Sequence, residues 1–310
     1  MYDISPEFKI LKKMPVVTRP LEIKLTNRFF NRLMKKELEK PGIKVKRISI
    51  PCDVSPSGAI DCPVICPVNS NDDDILPAVI FYHGGAFVFP AFPYHLRIAL
   101  STAEKTGCRV FMPFYDLAPK VLSPVFYEEA FIIYNYILEH AGELNIDPER
   151  TAVMGDSAGG TLCASLNLTL KDKGIWLPAA QLLFYPSLDA SLQSDSMKRY
   201  TNVPVINSGA VKEYYRICAP KNGVTIDRKI YSPAESPDLS GMPPTYVETA
   251  EFDCLHDDGI LYYTRLKEAG CIAELNETKG TVHAFDFVRE SSIQREAMER
   301  RTEFLKKYIL

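Results

Sequence analysis

The sequence predicts an α/β fold in which a mostly parallel sheet is covered by helices on both faces. Three observations carry this. Short apolar runs at residues 77–83, 108–115 and 150–156 have the texture of strands buried on both faces. Helix-like segments at 95–106 and 125–141 separate them. The alternation resumes further on, with strands expected at 180–189, 244–253 and 272–280 and a closing helix at 293–309.

Taken in order, residues 21–40 space Leu21, Leu25, Phe29 and Leu33 as a helix does and stop at Pro41-Gly42. Their other face is basic; the helix packs on the body as an ordinary amphipathic helix, serves as a lid over a pocket, or does both. Residues 45–51 and 59–67 read as strands joined by a Pro/Ser/Gly turn, and the acidic run at 69–74 as a solvated loop. The apolar stretch 131–138 is too short for a membrane span and contains Asn135, which makes it a core helix. Between Ser187 and Pro243 the rhythm lapses, around an aromatic helix at 209–218. The expected organisation is an N-terminal cap segment at 1–42 and a main domain at 43–310, interrupted by a cap insert at about 188–242.

Composition narrows the function. Of 310 residues, 46% are hydrophobic and 24% charged, values of an ordinary globular chain. Lys and Arg number 36 against 39 Asp and Glu, a net charge of −3, which gives no electrostatic case for nucleic acid as a partner. The N-terminus lacks the layout of a secretory signal, so the expected location is the cytoplasm. The eight scattered cysteines are expected to be reduced thiols. Cys62 and Cys66 have no matching His or Cys pair nearby, so no metal is expected. Nothing resembles a phosphate loop or a dinucleotide fingerprint, so no cofactor is expected either.

The chemistry concentrates in a few places. Gly155-Asp156-Ser157-Ala158-Gly159-Gly160 lies between a strand and a helix-like run. Small residues at such a reversal allow a strained turn that pushes the Ser hydroxyl outward, at a helix N-terminus that favours a developing anion. An N-capping Ser in a glycine-rich turn explains the same letters. His83-Gly84-Gly85-Ala86-Phe87 follows another strand; its backbone N–H groups form an oxyanion loop if a nucleophile is near, and otherwise a turn. His283 and Asp253 follow the last two strands, which suits a base and the carboxylate that orients it. The order Ser157, Asp253, His283 is that of side chains projecting from the C-terminal ends of parallel strands. Among the competitors, His83 is expected to brace its loop through a backbone hydrogen bond. His95 and His140 are expected on helix surfaces, and His256 at a helix cap or the surface. Asp257 and Asp258 lie further from the strand end than Asp253.

These pieces resemble the hormone-sensitive-lipase-like group of α/β-hydrolases, the bacterial esterases with an HGGG-type loop. The matching segments are residues 81–89, 114–125, 147–166, 182–189, 231–259 and 280–285, in family order. The resemblance implies an eight-stranded sheet with a helical cap built from the N-terminal segment and the insert. It implies Ser157 as nucleophile, Asp253 as acid, His283 as base, and Gly84, Gly85 and the N–H of Ala158 as the oxyanion hole. This chain departs from the family at Ala86, where a third glycine is usual, at Asp116, where a basic residue is usual, and at Cys254-Leu255-His256.

The expected activity is therefore hydrolysis of short- to medium-chain acyl esters through an acyl-enzyme, with a small-molecule ester as the partner. Ala86, Phe87, Phe29 and Phe30 are expected to line the substrate pocket, or else to belong to the core. A deacetylase of a sugar or other metabolite, an acyltransferase, a non-hydrolytic receptor and a peptidase are the other readings of the same fold. The C-terminal helix, with Leu305, Tyr308 and Ile309, packs on the sheet or on a second copy in a homodimer.

Overall fold

The computed structural model describes residues 2–221, 223–289 and 291–310. Its strands are β1 (Lys44–Pro51), β2 (Ala59–Cys66), β3 (Leu76–Tyr82), β4 (Arg109–Phe111), β5 (Ile146–Asp156), β6 (Ala180–Phe184), β7 (Thr245–Phe252) and β8 (Ala273–Val282). Among the described residues they form one eight-stranded sheet in the order β1-β2-β4-β3-β5-β6-β7-β8. The pairs β1–β2 and β2–β4 are antiparallel, and every pair from β4 to β8 is parallel. Every strand expected from the sequence is present. The one expected at 108–115 pairs with β3 only as far as Phe111. Beyond it, the N–H groups of Met112 and Phe114 donate to the Pro63 and Asp61 carbonyls, both at 2.9 Å, and Pro113 between them has none to give.

The helices are α1 (Pro20–Leu38), α2 (Pro93–Thr106), α3 (Val125–Glu139), α4 (Ala158–Lys173), α5 (Asp195–Arg199), α6 (Ser208–Cys218), α7 (Arg228–Tyr231), α8 (His256–Glu268) and α9 (Ser292–Ile309), with a 3-10 helix at Pro6–Lys13 before them. Sequence reasoning missed α5, α7, α8 and the 3-10 helix. Alternation along β3 sends Ala78, Ile80 and Tyr82 to one face of the sheet and Val79 and Phe81 to the other. The first face is covered by α3, α4 and α8, through residues such as Ile133, Leu162 and Tyr262. The second is covered by α2 and α9, with Phe8 and Leu11 of the 3-10 helix. Leu305 and Ile309 are fully buried there, so α9 packs on the sheet.

The N-terminal segment and the insert meet above the C-terminal strand ends. The Tyr214 hydroxyl of α6 donates to the Val17 carbonyl at 2.7 Å, and Asn27 of α1 donates to the Val88 carbonyl at 2.7 Å.

At the opposite edge of the site, α9 is tied down by a buried cation. Arg301 is 1% exposed and sits between Glu248 of β7 and Asp286, with Nη1 to Asp286 Oδ1 at 3.0 Å and a second contact to Glu248 Oε1. Its guanidinium also lies 3.9 Å from the Phe184 ring centroid. An Arg301→Met substitution strands two buried carboxylates and is expected to cost about 3–5 kcal/mol in urea unfolding at neutral pH. Arg300→Ala, which breaks only an exposed pair with Glu296, is expected to cost less than about 1 kcal/mol. Equal losses in the two variants would contradict this account of α9.

Candidate active site

Parallel strands bring their C-terminal ends to one edge: Tyr82 of β3 lies opposite Gly155 of β5, and Asp156 opposite Phe184 of β6. Ser157 is the first residue past β5 and adopts φ 52°, ψ −120°, a backbone that L residues rarely take. Its N–H donates to the Phe184 carbonyl at 2.9 Å, and its carbonyl accepts from Ser187 N–H at 3.3 Å. The turn closes because α4 begins with small residues. A side chain on Gly159 would collide with the Tyr82 carbonyl.

The other two candidate residues arrive from the next strands. Asp253 follows β7 directly and is fully buried; its Oδ1 accepts from Leu255 N–H at 2.9 Å. Its Oδ2 lies 2.6 Å from His283 Nδ1, and His283 Nε2 lies 3.0 Å from Ser157 Oγ. A neutral imidazole satisfies both contacts by donating from Nδ1 and accepting at Nε2. His283 is positioned by the end of β8 and by the Tyr185 ring, edge-on with centroids 5.0 Å apart. The Tyr185 hydroxyl in turn donates to Asp286 Oδ2 at 2.7 Å, linking the segment after His283 to Arg301.

The competing residues are engaged elsewhere. His256 contacts Asp257 and Glu277. Asp257 Oδ2 accepts from Ser196 N–H, and Asp258 Oδ2 accepts from the N–H groups of Leu188 and Asp189. Burial pushes the Asp258 carboxyl well above the usual range. His140 is half-buried at the end of α3 and stacks on Tyr136. Asp116 is structural, accepting from Ser55 Oγ at 2.5 Å and Lys120 Nζ at 2.7 Å.

Two expectations are corrected. The Gly84 N–H donates to Asp156 Oδ1 at 2.8 Å, so it is not free to meet an oxyanion. The N–H groups of Gly85, Ala86 and Ala158 donate to no acceptor among the described residues. Gly85 takes φ 124°, and a Cβ there would stand 2.5 Å from the Phe89 carbonyl oxygen, so only glycine fits. Ala86 and Phe87 follow with φ 54° and 59°. The second correction is His95, expected on the surface and in fact fully buried. Its Nδ1 accepts from Phe92 N–H at 2.7 Å, so Nε2 carries the proton and donates to Asp156 Oδ2 at 3.1 Å. Tyr94 donates to the same oxygen at 2.7 Å. Sequence reasoning missed Asp156 as a site residue. The available signal was a carboxylate ending an apolar strand, which must find donors once buried. Burial alone would raise its carboxyl, but His95, Tyr94 and the Gly84 N–H together hold it below the ordinary value.

Two cavities open onto Ser157. One, of about 370 Å³, is lined by Ala86, Phe87, Phe126, Tyr127 and Tyr215. The other, of about 480 Å³, is lined by Phe29, Phe30, Phe92, His283 and Phe287. Of the four pocket residues expected, Phe29 is 61% exposed, Phe30 packs on Phe92 with centroids 4.5 Å apart, and Phe87 stacks on Phe126 at 4.4 Å. Ala86 and Ser157 border both cavities.

A family model described as the α/β hydrolase fold matches residues 79–287. The chain belongs to that family. It is 31% identical over 223 residues to an ethyl acetate hydrolase of Pseudomonas putida, covering 72% of this chain and 69% of that protein. It is 32% identical over 216 residues to the carboxylesterase NlhH of Mycobacterium tuberculosis, covering 68% and 67% respectively. The solved structure of a bacterial heroin esterase superposes with a TM-score of 0.88 at 26% identity, covering 99% of this chain and 98% of that one. No helix among the described residues is long and apolar enough to cross a membrane.

His83 provides a pH-dependent check on the loop. Its Nδ1 donates to the Gly84 carbonyl at 2.7 Å and its ring stacks on Tyr115 with centroids 4.4 Å apart. Burial, with the His95 ring beside it, holds its imidazole down at about 3. The unfolded chain binds a proton near pH 6.5 and the folded chain does not, so this stabilisation is complete above about pH 6.5 and is lost as pH falls toward 3. The loss approaches about 1.4 kcal/mol per pH unit. His83→Asn keeps an N–H donor without the titration. Its urea midpoint is expected to fall less steeply between pH 6.5 and 4 than that of the intact protein, and parallel slopes would refute the assignment.

Proposed function

We propose that this protein is a carboxylic ester hydrolase that works through an acyl-enzyme on Ser157. The observation that carries the reading is the continuous chain Asp253–His283–Ser157, at 2.6 and 3.0 Å, on the turn between β5 and α4. His283 Nε2 takes the hydroxyl proton as Ser157 Oγ attacks the ester carbonyl. Asp253 holds the tautomer and stabilises the imidazolium. The N–H groups of Gly85, Ala86 and Ala158 receive the oxyanion, each donor supplying roughly 3 kcal/mol. The imidazolium then passes its proton to the leaving alkoxide, and water repeats the attack to release the acid.

That proton transfer assigns the two cavities. The alcohol oxygen must leave beside His283 Nε2, so the alcohol group occupies the cavity that His283 lines. The acyl group then points into the other, whose apolar walls and about 370 Å³ suit a short to medium chain. Residues 1–42 and the insert at about 188–242 act as the cap, since Phe29 and Phe30 wall the alcohol side and Tyr215 the acyl side. A complete Ser-His-Asp chain favours hydrolysis over a receptor on the same fold.

The test is a p-nitrophenyl ester series from acetate to long acyl chains. Turnover is expected with short and medium esters and to decline sharply once the acyl group outgrows its cavity. Ser157→Ala is expected to lower kcat by at least about 10⁴-fold, and Asp253→Asn by about 10⁴-fold, with folding intact by circular dichroism. Undiminished turnover in Ser157→Ala would exclude the acyl-enzyme, and absence of turnover in the folded intact protein would exclude a general esterase.

A further inference from the structure

Charge is unevenly divided along this chain. Residues 1–40 hold ten lysines and arginines against five acids, a balance of +5, while the remainder holds 26 against 34, a balance of −8. Most of the excess sits on α1. Lys24, Arg28, Arg32, Lys35 and Lys36 are exposed. The ion pairs at its two ends are Arg19–Glu22 and Lys40–Glu37, and these five cations make none among the described residues.

The same outer face carries apolar side chains that a folded chain normally hides. Leu21, Leu25 and Phe29 are 68%, 55% and 61% exposed. Spaced four apart, they form one row along the helix, and Arg28, Arg32 and Lys36 form a neighbouring row at the same spacing. Ile23, Met34 and Leu38, on the opposite side, already bury against the body, so the outer row is not needed for packing. Leu25 and Phe29 also line the cavity that reaches Ser157 and His283. The apolar row therefore runs into the mouth of the site.

We propose that α1 docks on an anionic lipid surface. Leu21, Leu25 and Phe29 enter the boundary between headgroups and acyl chains, and the flanking cations sit on the headgroup phosphates. The helix lies in the interface and does not span it. Docking sets the mouth of the alcohol-side cavity against the membrane, where apolar esters concentrate; only this consequence rests on the function proposed above. A second copy fits the face poorly, because a two-fold contact would set the cation row against itself. A nucleic acid would answer the cations and leave the apolar row in water.

The test is co-sedimentation of the full chain with vesicles of phosphatidylcholine alone and of equimolar phosphatidylcholine and phosphatidylglycerol. Binding is expected on the anionic vesicles only, and to weaken as salt is raised. The triple variant Arg28→Glu, Arg32→Glu, Lys36→Glu is expected to bind about 100-fold more weakly while hydrolysing p-nitrophenyl acetate as before. Leu21→Asp, a single exposed change, is expected to weaken binding as well and covers the case in which the triple variant fails to fold. The Ser157→Ala protein is expected to bind like the intact one, so docking is read independently of turnover. Equal binding to both vesicle types, no binding to either, or unchanged binding in Leu21→Asp would overturn the proposal. So would a dimer in sedimentation velocity that Leu21→Asp dissolves, or retention on DNA without retention on vesicles.

Discussion

The arrangement depends on one backbone conformation, the φ of 52° at Ser157. A non-glycine residue at this sparsely populated φ and ψ costs about 1–3 kcal/mol and persists only where its surroundings leave no alternative. Here both neighbouring strands enforce it. The N–H of Ser157 is bonded to the end of β6, and Gly159 sits against the carbonyl of Tyr82 at the end of β3. Asp156 completes the constraint. Its carboxylate reaches across to the Gly84 N–H, so the turn that presents the hydroxyl and the loop that follows β3 are held by the same residue. Two backbone segments far apart in sequence are thus fixed relative to each other before any substrate arrives.

The imidazole that contacts Ser157 is held by a different device. His283 stands just past β8, on a short segment whose next residue, Ala284, is itself left-handed at φ 53°. What fixes that segment is the buried group of Arg301, Asp286, Glu248 and Tyr185, all 1% exposed or less apart from Asp286 at 2%. Two carboxylates around one guanidinium leave little net electrostatic gain once desolvation is counted. Their value is geometric, since the bonds join α9, β7 and the loop that follows His283. Ser157 is placed by steric closeness and His283 by a polar cluster, and the two meet at 3.0 Å.

Much of this was legible in the letters. Buried parallel strands are written as apolar runs, and all eight could be placed because each run is bounded by a turn or a helix. Ser157 stands out on its turn of small residues, and Asp253 and His283 because they follow the last two strands. The helix at His256–Glu268 opens with Asp257, Asp258 and Gly259, letters that suit a turn as well as a first helical turn, where two acids also suit the dipole. Gly84 was assigned to the oxyanion loop because a glycine pair does not say which N–H groups turn inward. That choice is made by Asp156, and the pairing of Gly84 with Asp156 spans 72 residues. His95 escaped for the same reason: it lies near the start of α2, and the carboxylate that it meets is 61 residues away in sequence.

Ala86 concentrates the remaining question of selectivity. At φ 54° a glycine would hold the same conformation without strain, yet the chain keeps a methyl group there. That methyl stands on the wall common to both cavities, beside Ser157. In the proposed mechanism, space is therefore removed next to the reacting carbonyl, where acyl and alcohol groups would diverge, and not at the far end of either chamber. A restriction at that point acts on branching close to the ester bond before it acts on chain length. In the proposed mechanism the same residue also supplies an oxyanion N–H, so a substrate that presses on the methyl displaces a donor as well. Bulk near the carbonyl is then opposed twice, once by contact and once by weakened stabilisation of the developing charge.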